Sequence, residues 1–257
     1  MLEWNVSIVI IVILLGFLAA FIDAVVGGGG LISIPALLAV GMQPSMALGT
    51  NKLASAFGSM TSAFRFLRSG KVDLKIVAKL FPIIFVMAMI GASVATFLPA
   101  ELLKPVVIVV LTLVMIYTLV KKDWGSVRTF TKLSLGKAIL FVSLMCLIGF
   151  YDGFLGGGTG SFMLFVLLMF GFDFLGAAGN AKVLNFASNL GALILFICLH
   201  EVDYFYGLIM AVSMIAGSYV GAQFAIKKGV GYVKGLFIVV TAVLIIKNIY
   251  DYITQMS

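Results

Sequence analysis

Asp23-Ala-Val-Val-Gly-Gly-Gly-Gly30 and Asp152-Gly-Phe-Leu-Gly-Gly-Gly-Thr-Gly160 each place an aspartate four residues ahead of a glycine run, inside otherwise apolar sequence. The second stretch follows the first at an offset of 129, Asp23 matching Asp152 and Gly27 matching Gly156. From Gly41 onward the offset is 130: Gly41 matches Gly171, Lys52 matches Lys182, Val72-Asp73 matches Val202-Asp203, Gly91-Ala92 matches Gly221-Ala222, and Lys104 matches Lys234. A register kept through most of each half, with one inserted residue, is a duplication, and the chain reads as two copies of one unit. Repeat 1 covers about residues 5–121 and repeat 2 about 134–251.

Composition says where the unit lives. The chain is 63% hydrophobic and 11% charged, with a mean hydropathy of +1.22, against roughly 25% charged residues in soluble domains. That is an integral membrane protein, a single polytopic domain over residues 1–257 with no separate soluble part. A crossing needs about 20 apolar residues, so there is room for about eight to ten. The net charge of +7 does not indicate a nucleic-acid partner, because a basic excess is what the positive-inside rule produces. Of the 17 Lys and Arg, 13 fall in the segments 65–79, 121–137 and 227–234, which are therefore assigned to the cytoplasm. The connection His200 to Asp203 and the N-terminal Met1 to Asn5 carry no Lys or Arg and are assigned outside.

Along the chain, Val6 to Val26 reads as a first span, retained because it lacks the basic n-region and cleavage site of a signal peptide. Leu31 to Val40 carries Pro35, and ten residues reach only about 15 Å, half the bilayer, so a short broken helix is expected after the glycines. Pro44 to Arg68, Leu74 to Leu98 and Pro105 to Val120 complete the first unit, and 138–155, 161–170, 174–199, 204–226 and 233–250 repeat it. The link before the fourth element is basic in unit one (Arg65 to Lys79) and lacks Lys and Arg in unit two (His200 to Asp203). Equivalent links on opposite sides require an odd number of crossings per unit. The expectation is thus an all-α integral membrane protein of two inverted-topology repeats, each with about five helical elements, a build many secondary transporters use.

The sequence offers no HExxH, no GxSxG, no Walker Lys-Ser/Thr after the glycines and one His, so no metal, cofactor or catalytic triad is expected. Cys146 and Cys198 read as buried small hydrophobes, and Asp73 and Asp203 as N-caps. What remains is a set of polar residues inside apolar spans. Lys52, Ser55 and Ser59 share one helix face, and Lys182, Asn185 and Asn189 repeat their spacing on the partner helix. A Lys or Asp at mid-membrane costs ~2.5 to 3.5 kcal/mol even on the lenient scale, so pairing or water must offset four of them. One reading makes the lysines neutralising partners of Asp23 and Asp152. The other has the two faces meet and line a cavity in which the lysines, Thr50, Asn51 and the unwound backbone at Gly28, Gly29, Gly157 and Gly158 hold a small anion, with proton coupling through Asp23 and Asp152. On that second reading Lys182→Met and Asn185→Ala are expected to weaken binding more than Lys52→Met, with all three folding normally.

The run Phe21 to Leu38 (FIDAVVGGGGLISIPALL), then Gly49-Thr-Asn-Lys52 and Ala181-Lys-Val-Leu-Asn-Phe-Ala-Ser-Asn189, resembles the sulfite exporter TauE/SafE (TSUP) family of membrane permeases over essentially the whole chain. The likeness is to its broadly distributed bacterial branch. It implies a multi-pass protein of the bacterial inner (plasma) membrane that exports small sulfur-containing anions such as sulfite or organosulfonates. A passive anion channel is the alternative, and the resemblance leaves the oligomeric state open.

Overall fold

The computed structural model describes residues 6–95, 125, 127–131 and 133–229, together with positions 232, 235, 238, 239, 242, 243 and 246. The expected helices at 105–120 and 233–250 lie outside or largely outside the described residues. Eight helices are described: α1 Val6–Val26, α2 Gly30–Ala39, α3 Pro44–Arg68, α4 Leu74–Ala95, α5 Leu135–Phe154, α6 Thr159–Met169, α7 Phe174–Cys198 and α8 Tyr204–Lys228. Five of them, α1, α4, α5, α7 and α8, are long and apolar enough to cross a membrane. The fold is all-α and the protein is a multi-pass membrane protein.

Local chemistry sets the helix ends. Pro44 opens α3 at its first position, where a missing N–H costs nothing. The Asp173 and Asp203 carboxylates accept from the backbone N–H groups of Gly176 and Tyr206, capping α7 and α8. Asp73 does the same for Ile76 at 3.4 Å and also receives the exposed Arg128 guanidinium at 2.6 Å. The glycine runs break the chain between α1 and α2 and between α5 and α6. Gly27 and Gly28 have φ of 85° and 92°, and Gly156 and Gly158 of 77° and 86°, a region open to glycine at no steric cost.

The two units exchange partners. α1 packs on α8 and, equivalently, α5 packs on α4; α3 packs on α8 and α7 on α4, while α3 and α7 meet each other. Small residues at repeat-related positions permit these approaches. A Cβ at Gly91 would come within 1.9 Å of the Phe150 carbonyl oxygen, and one at Gly221 within 2.5 Å of that of Phe21, its repeat equivalent. The same exchange occurs in polar contacts: Thr50 Oγ1 accepts from the Asp203 N–H at 2.9 Å, and Asn180 Oδ1 accepts from the Asp73 N–H at 3.0 Å. Each long helix thereby fastens the start of the other unit's fourth helix.

The outer surface of these helices is apolar. Ile10, Leu14, Phe64, Val86, Leu147, Val212 and others are exposed, a belt suited to lipid. The cysteines belong to this side, contrary to the expectation of burial: Cys198 is exposed and Cys146 half-buried. In a bilayer both the core and the exterior are apolar, so composition around a cysteine does not tell the two apart.

Candidate functional site

α3 and α7 are the helices that carry the polar residues, and both turn them inward. Thr50, Asn51, Lys52 and Ser59 of α3, and Asn180, Lys182, Asn185, Ser188 and Asn189 of α7, are all buried. Lys52 is the ninth residue of α3, about 12 Å from its start.

Each lysine is neutralised by the aspartate of the other unit. Lys52 Nζ lies 3.1 Å from Asp152 Oδ1 and Lys182 Nζ lies 2.8 Å from Asp23 Oδ2. The first reading of the lysines, as counterions, is thus realised in its geometry, with the pairs tying α3 to α5 and α7 to α1. This changes the expectation that Lys→Met variants fold normally, because removing either lysine leaves a carboxylate without its cation. The surroundings of the pairs differ. Asp152 also accepts a short hydrogen bond from the Ser188 hydroxyl, and Lys52 also donates to Asn189 Oδ1 at 3.2 Å. Asp23 accepts from the Gly29 backbone N–H at 3.3 Å. The Asp23 side chain is 21% exposed and that of Asp152 only 2%.

A cavity opens beside these pairs. Its wall includes Asp23, Gly29 and Gly30 from the first break, Asn51, Lys52, Ser55, Gly58 and Ser59 from α3, Asp152 and Gly156 from the second break, Asn185 and Asn189 from α7, and Met214 and Ser218 from α8. About 30 Å³ is open to the centre of a water-sized sphere, room for roughly two or three waters. Thus Lys52, Ser55, Ser59, Asn51, Asn185, Asn189, Gly29, Asp23 and Asp152 come together as the sequence suggested. Thr50, Gly28, Gly157, Gly158 and Lys182 are not on the wall: Thr50 holds the Asp203 N–H, the Gly157 carbonyl accepts from the Tyr151 hydroxyl at 2.6 Å, and Lys182 stands behind Asp23. Met214 and Ser218 were missed because α8 carries no feature in the sequence that sets them apart from packing residues.

Donors on this wall are unevenly used. The Ser59 hydroxyl donates to the Ser55 carbonyl of its own helix at 2.6 Å, and the Asn51 carbonyl oxygen accepts from Ser33 at 2.6 Å and from Ser55 at 3.4 Å. The Asn189 amide nitrogen donates to Asn185 Oδ1 and points to Ser59. The amide nitrogens of Asn51 and Asn185 have no protein acceptor among the described residues, and Lys52 has three N–H donors for two partners. A cation with a spare donor beside two amide N–H2 groups is a set that suits an oxyanion.

An all-α bundle of apolar crossings around a polar cavity, with broken helices at its wall, defines the chain as a polytopic membrane protein by class. Its particular family follows from comparison: the model of the sulfite exporter TauE/SafE family matches residues 12–248, and the chain belongs to that family. A probable membrane transporter protein from Sinorhizobium is 37% identical over 91% of this chain and 90% of its own length. Relatives described in the same words occur in Haemophilus influenzae, 34% identical over 97% of this chain and 98% of its own, and in Escherichia coli K12 (YfcA), 35% identical over 91% and 87%. No solved structure matches the chain.

Proposed function

We propose that the protein is a secondary transporter exporting small anions, namely sulfite, an organosulfonate or a related sulfur-containing species, across a bacterial inner membrane by alternating access. The observation that carries this reading is the polar cavity in which Lys52, Asn51 and Asn185 present unused donors. Family membership supports the substrate class. The cavity size favours the smaller members of that class in this conformation. Two units of inverted topology, whose equivalent helices exchange partners, would supply the two states: the α1/α8 and α5/α4 contacts are related pairs that can open in turn. Transport without chemistry fits a polar set that lacks an activated nucleophile.

Purified protein tested against sulfite, sulfate, thiosulfate, taurine, sulfoacetate and simple carboxylates should gain thermal stability with one of the sulfur oxyanions. Saturation to a hundred times Kd is worth about 2.7 kcal/mol. No shift with any of them, over a concentration range reaching tens of millimolar, removes the anion reading. A passive channel is distinguished by flux in proteoliposomes that neither saturates nor follows a gradient. The inverted topology has its own check. A cysteine introduced at Ser69 or Ser126 should resist a membrane-impermeant reagent added from the periplasmic side, whereas ready labelling there contradicts the charge-based orientation.

A further inference from the structure

Among the described residues, the charges around the cavity sum to zero. Lys52 and Asp152 lie on its wall, Asp23 lies on its wall, and Lys182 closes the count from behind Asp23. No other charged side chain of the described residues lines it. A monovalent anion added to this balanced set leaves one uncompensated negative charge beside buried side chains, and such a charge is costly. A cation that comes with it, or neutralisation of a carboxylate, removes that cost.

The two carboxylates are not equal candidates, and the repeat shows why. Ser188 of α7 donates its hydroxyl to Asp152. The position of α3 that corresponds to Ser188, at the offset of 130, is Gly58, which has no hydroxyl to give to Asp23. Asp152, 2% exposed, is thus held by a lysine and a hydroxyl, while Asp23, 21% exposed on the same cavity wall, is held by a lysine and one long backbone hydrogen bond. A hydrogen bond donated to a carboxylate favours its charged form. Groups facing Asp23 from the packed elements are Lys182 of α7, Lys52 of α3 and Asp152 of α5 across the cavity, the Gly29 N–H at the start of α2, Gly160 of α6, and the uncharged Met214 and Ser218 of α8.

We propose that Asp23 is the coupling site of the transporter: it takes up one proton as the anion enters beside Lys52, while Asp152 remains tied to Lys52 and Ser188. This rests on the anion reading above and assigns to one of two repeat-related acids a role the other does not share. The sign follows from reciprocity. If the anion raises the affinity of Asp23 for a proton, protons raise the affinity for the anion by the same factor, so binding strengthens as pH falls.

The test uses the full chain in detergent, in weakly buffered, sodium-free choline medium with a pH-sensitive dye, and methanesulfonate, a monoanion that carries no proton of its own near neutral pH. The wild type is expected to take up close to one proton per methanesulfonate bound, with binding tighter at lower pH. Asp23→Asn is expected to bind methanesulfonate with no uptake and little pH dependence. Gly58→Ser, which offers Asp23 the hydroxyl that Ser188 gives Asp152, is expected to move the pH dependence of uptake to more acid values. It also covers the case in which Asp23→Asn fails to fold; its added Cβ meets Ser218 Oγ at 3.1 Å and Met214 Cβ at 3.3 Å, contacts that a shift of a few tenths of an ångström relieves. Binding without proton uptake in the wild type, an obligatory requirement for sodium, or uptake that survives in Asp23→Asn overturns the assignment while leaving the anion reading intact. If neither methanesulfonate nor sulfite binds the wild type, the anion reading itself fails and the proposal falls with it.

Discussion

Lys52→Met is expected to destabilise the protein severely, and Asp152→Asn in the same chain is expected to return most of the loss. Asp152 is 2% exposed at its side chain, and without Lys52 the Ser188 hydroxyl is its remaining hydrogen-bond partner. Removing one member of a buried ion pair costs about 3 to 5 kcal/mol, chiefly because the other charge is left without compensation. Neutralising the survivor removes that term. Lys182→Met should cost less, since Asp23 is 21% exposed and can be hydrated from the cavity. Melting temperatures of the two single and two double variants in one detergent read this directly. Single variants as stable as the wild type would show that the pairs do not hold the bundle.

Gly27→Ala should be the most damaging of the small substitutions. The new methyl carbon would sit 2.2 Å from the Gly160 carbonyl carbon and the Ser161 nitrogen, where the first glycine break crosses the second, and the backbone there has φ of 85°. The neighbours are backbone atoms and cannot swing away. Overpacking and left-handed strain together amount to roughly 2 to 6 kcal/mol. Gly70→Ala isolates the strain, because its φ is 69° but nothing lies within 4 Å. It should lose roughly 1 to 3 kcal/mol at most. Gly136→Ala, in helical backbone with nothing within 4 Å, should be neutral or stabilising by about 0.5 to 1 kcal/mol. Folded yield and melting temperature for the three variants give the comparison. Equal losses at Gly27 and Gly70 would mean the crossing tolerates an added side chain.

Much of the helix plan could be read from residues alone, because the signals were strong and local. The glycine runs, Pro44, Asp73 and Asp203 mark breaks and caps that the structure places within a few residues of the expected bounds. The meeting of the Lys52 and Lys182 faces was also visible, since a matched spacing of polar residues in apolar helices has to point inward. Which acid pairs with which lysine was not visible. Two aspartates and two lysines allow either arrangement, and helix packing alone does not decide it, since α1 packs on α3 as well as on α7 and α5 packs on α7; that each lysine reaches the other unit's acid is a tertiary fact. Thr50, offered to the substrate as a polar residue inside an apolar span, points instead to the Asp203 N–H; adjacent residues on a helix face directions about 100° apart. The contrast between Ser188 and Gly58 sat in the aligned repeats, but a missing hydroxyl carries no signal until its counterpart is seen donating to a carboxylate.

The central claim, that the polar cavity binds an anion through Lys52, is tested most directly by the charge-neutral double variant Lys52→Met/Asp152→Asn. Its buried charges are removed together, so it should fold with a melting temperature near that of the wild type. The measurement is the change in melting temperature on adding sulfite or thiosulfate to both proteins. The account predicts a concentration-dependent rise for the wild type and none for the double variant. An equal rise in the two proteins would place the anion somewhere other than this cavity and contradict the role given to Lys52.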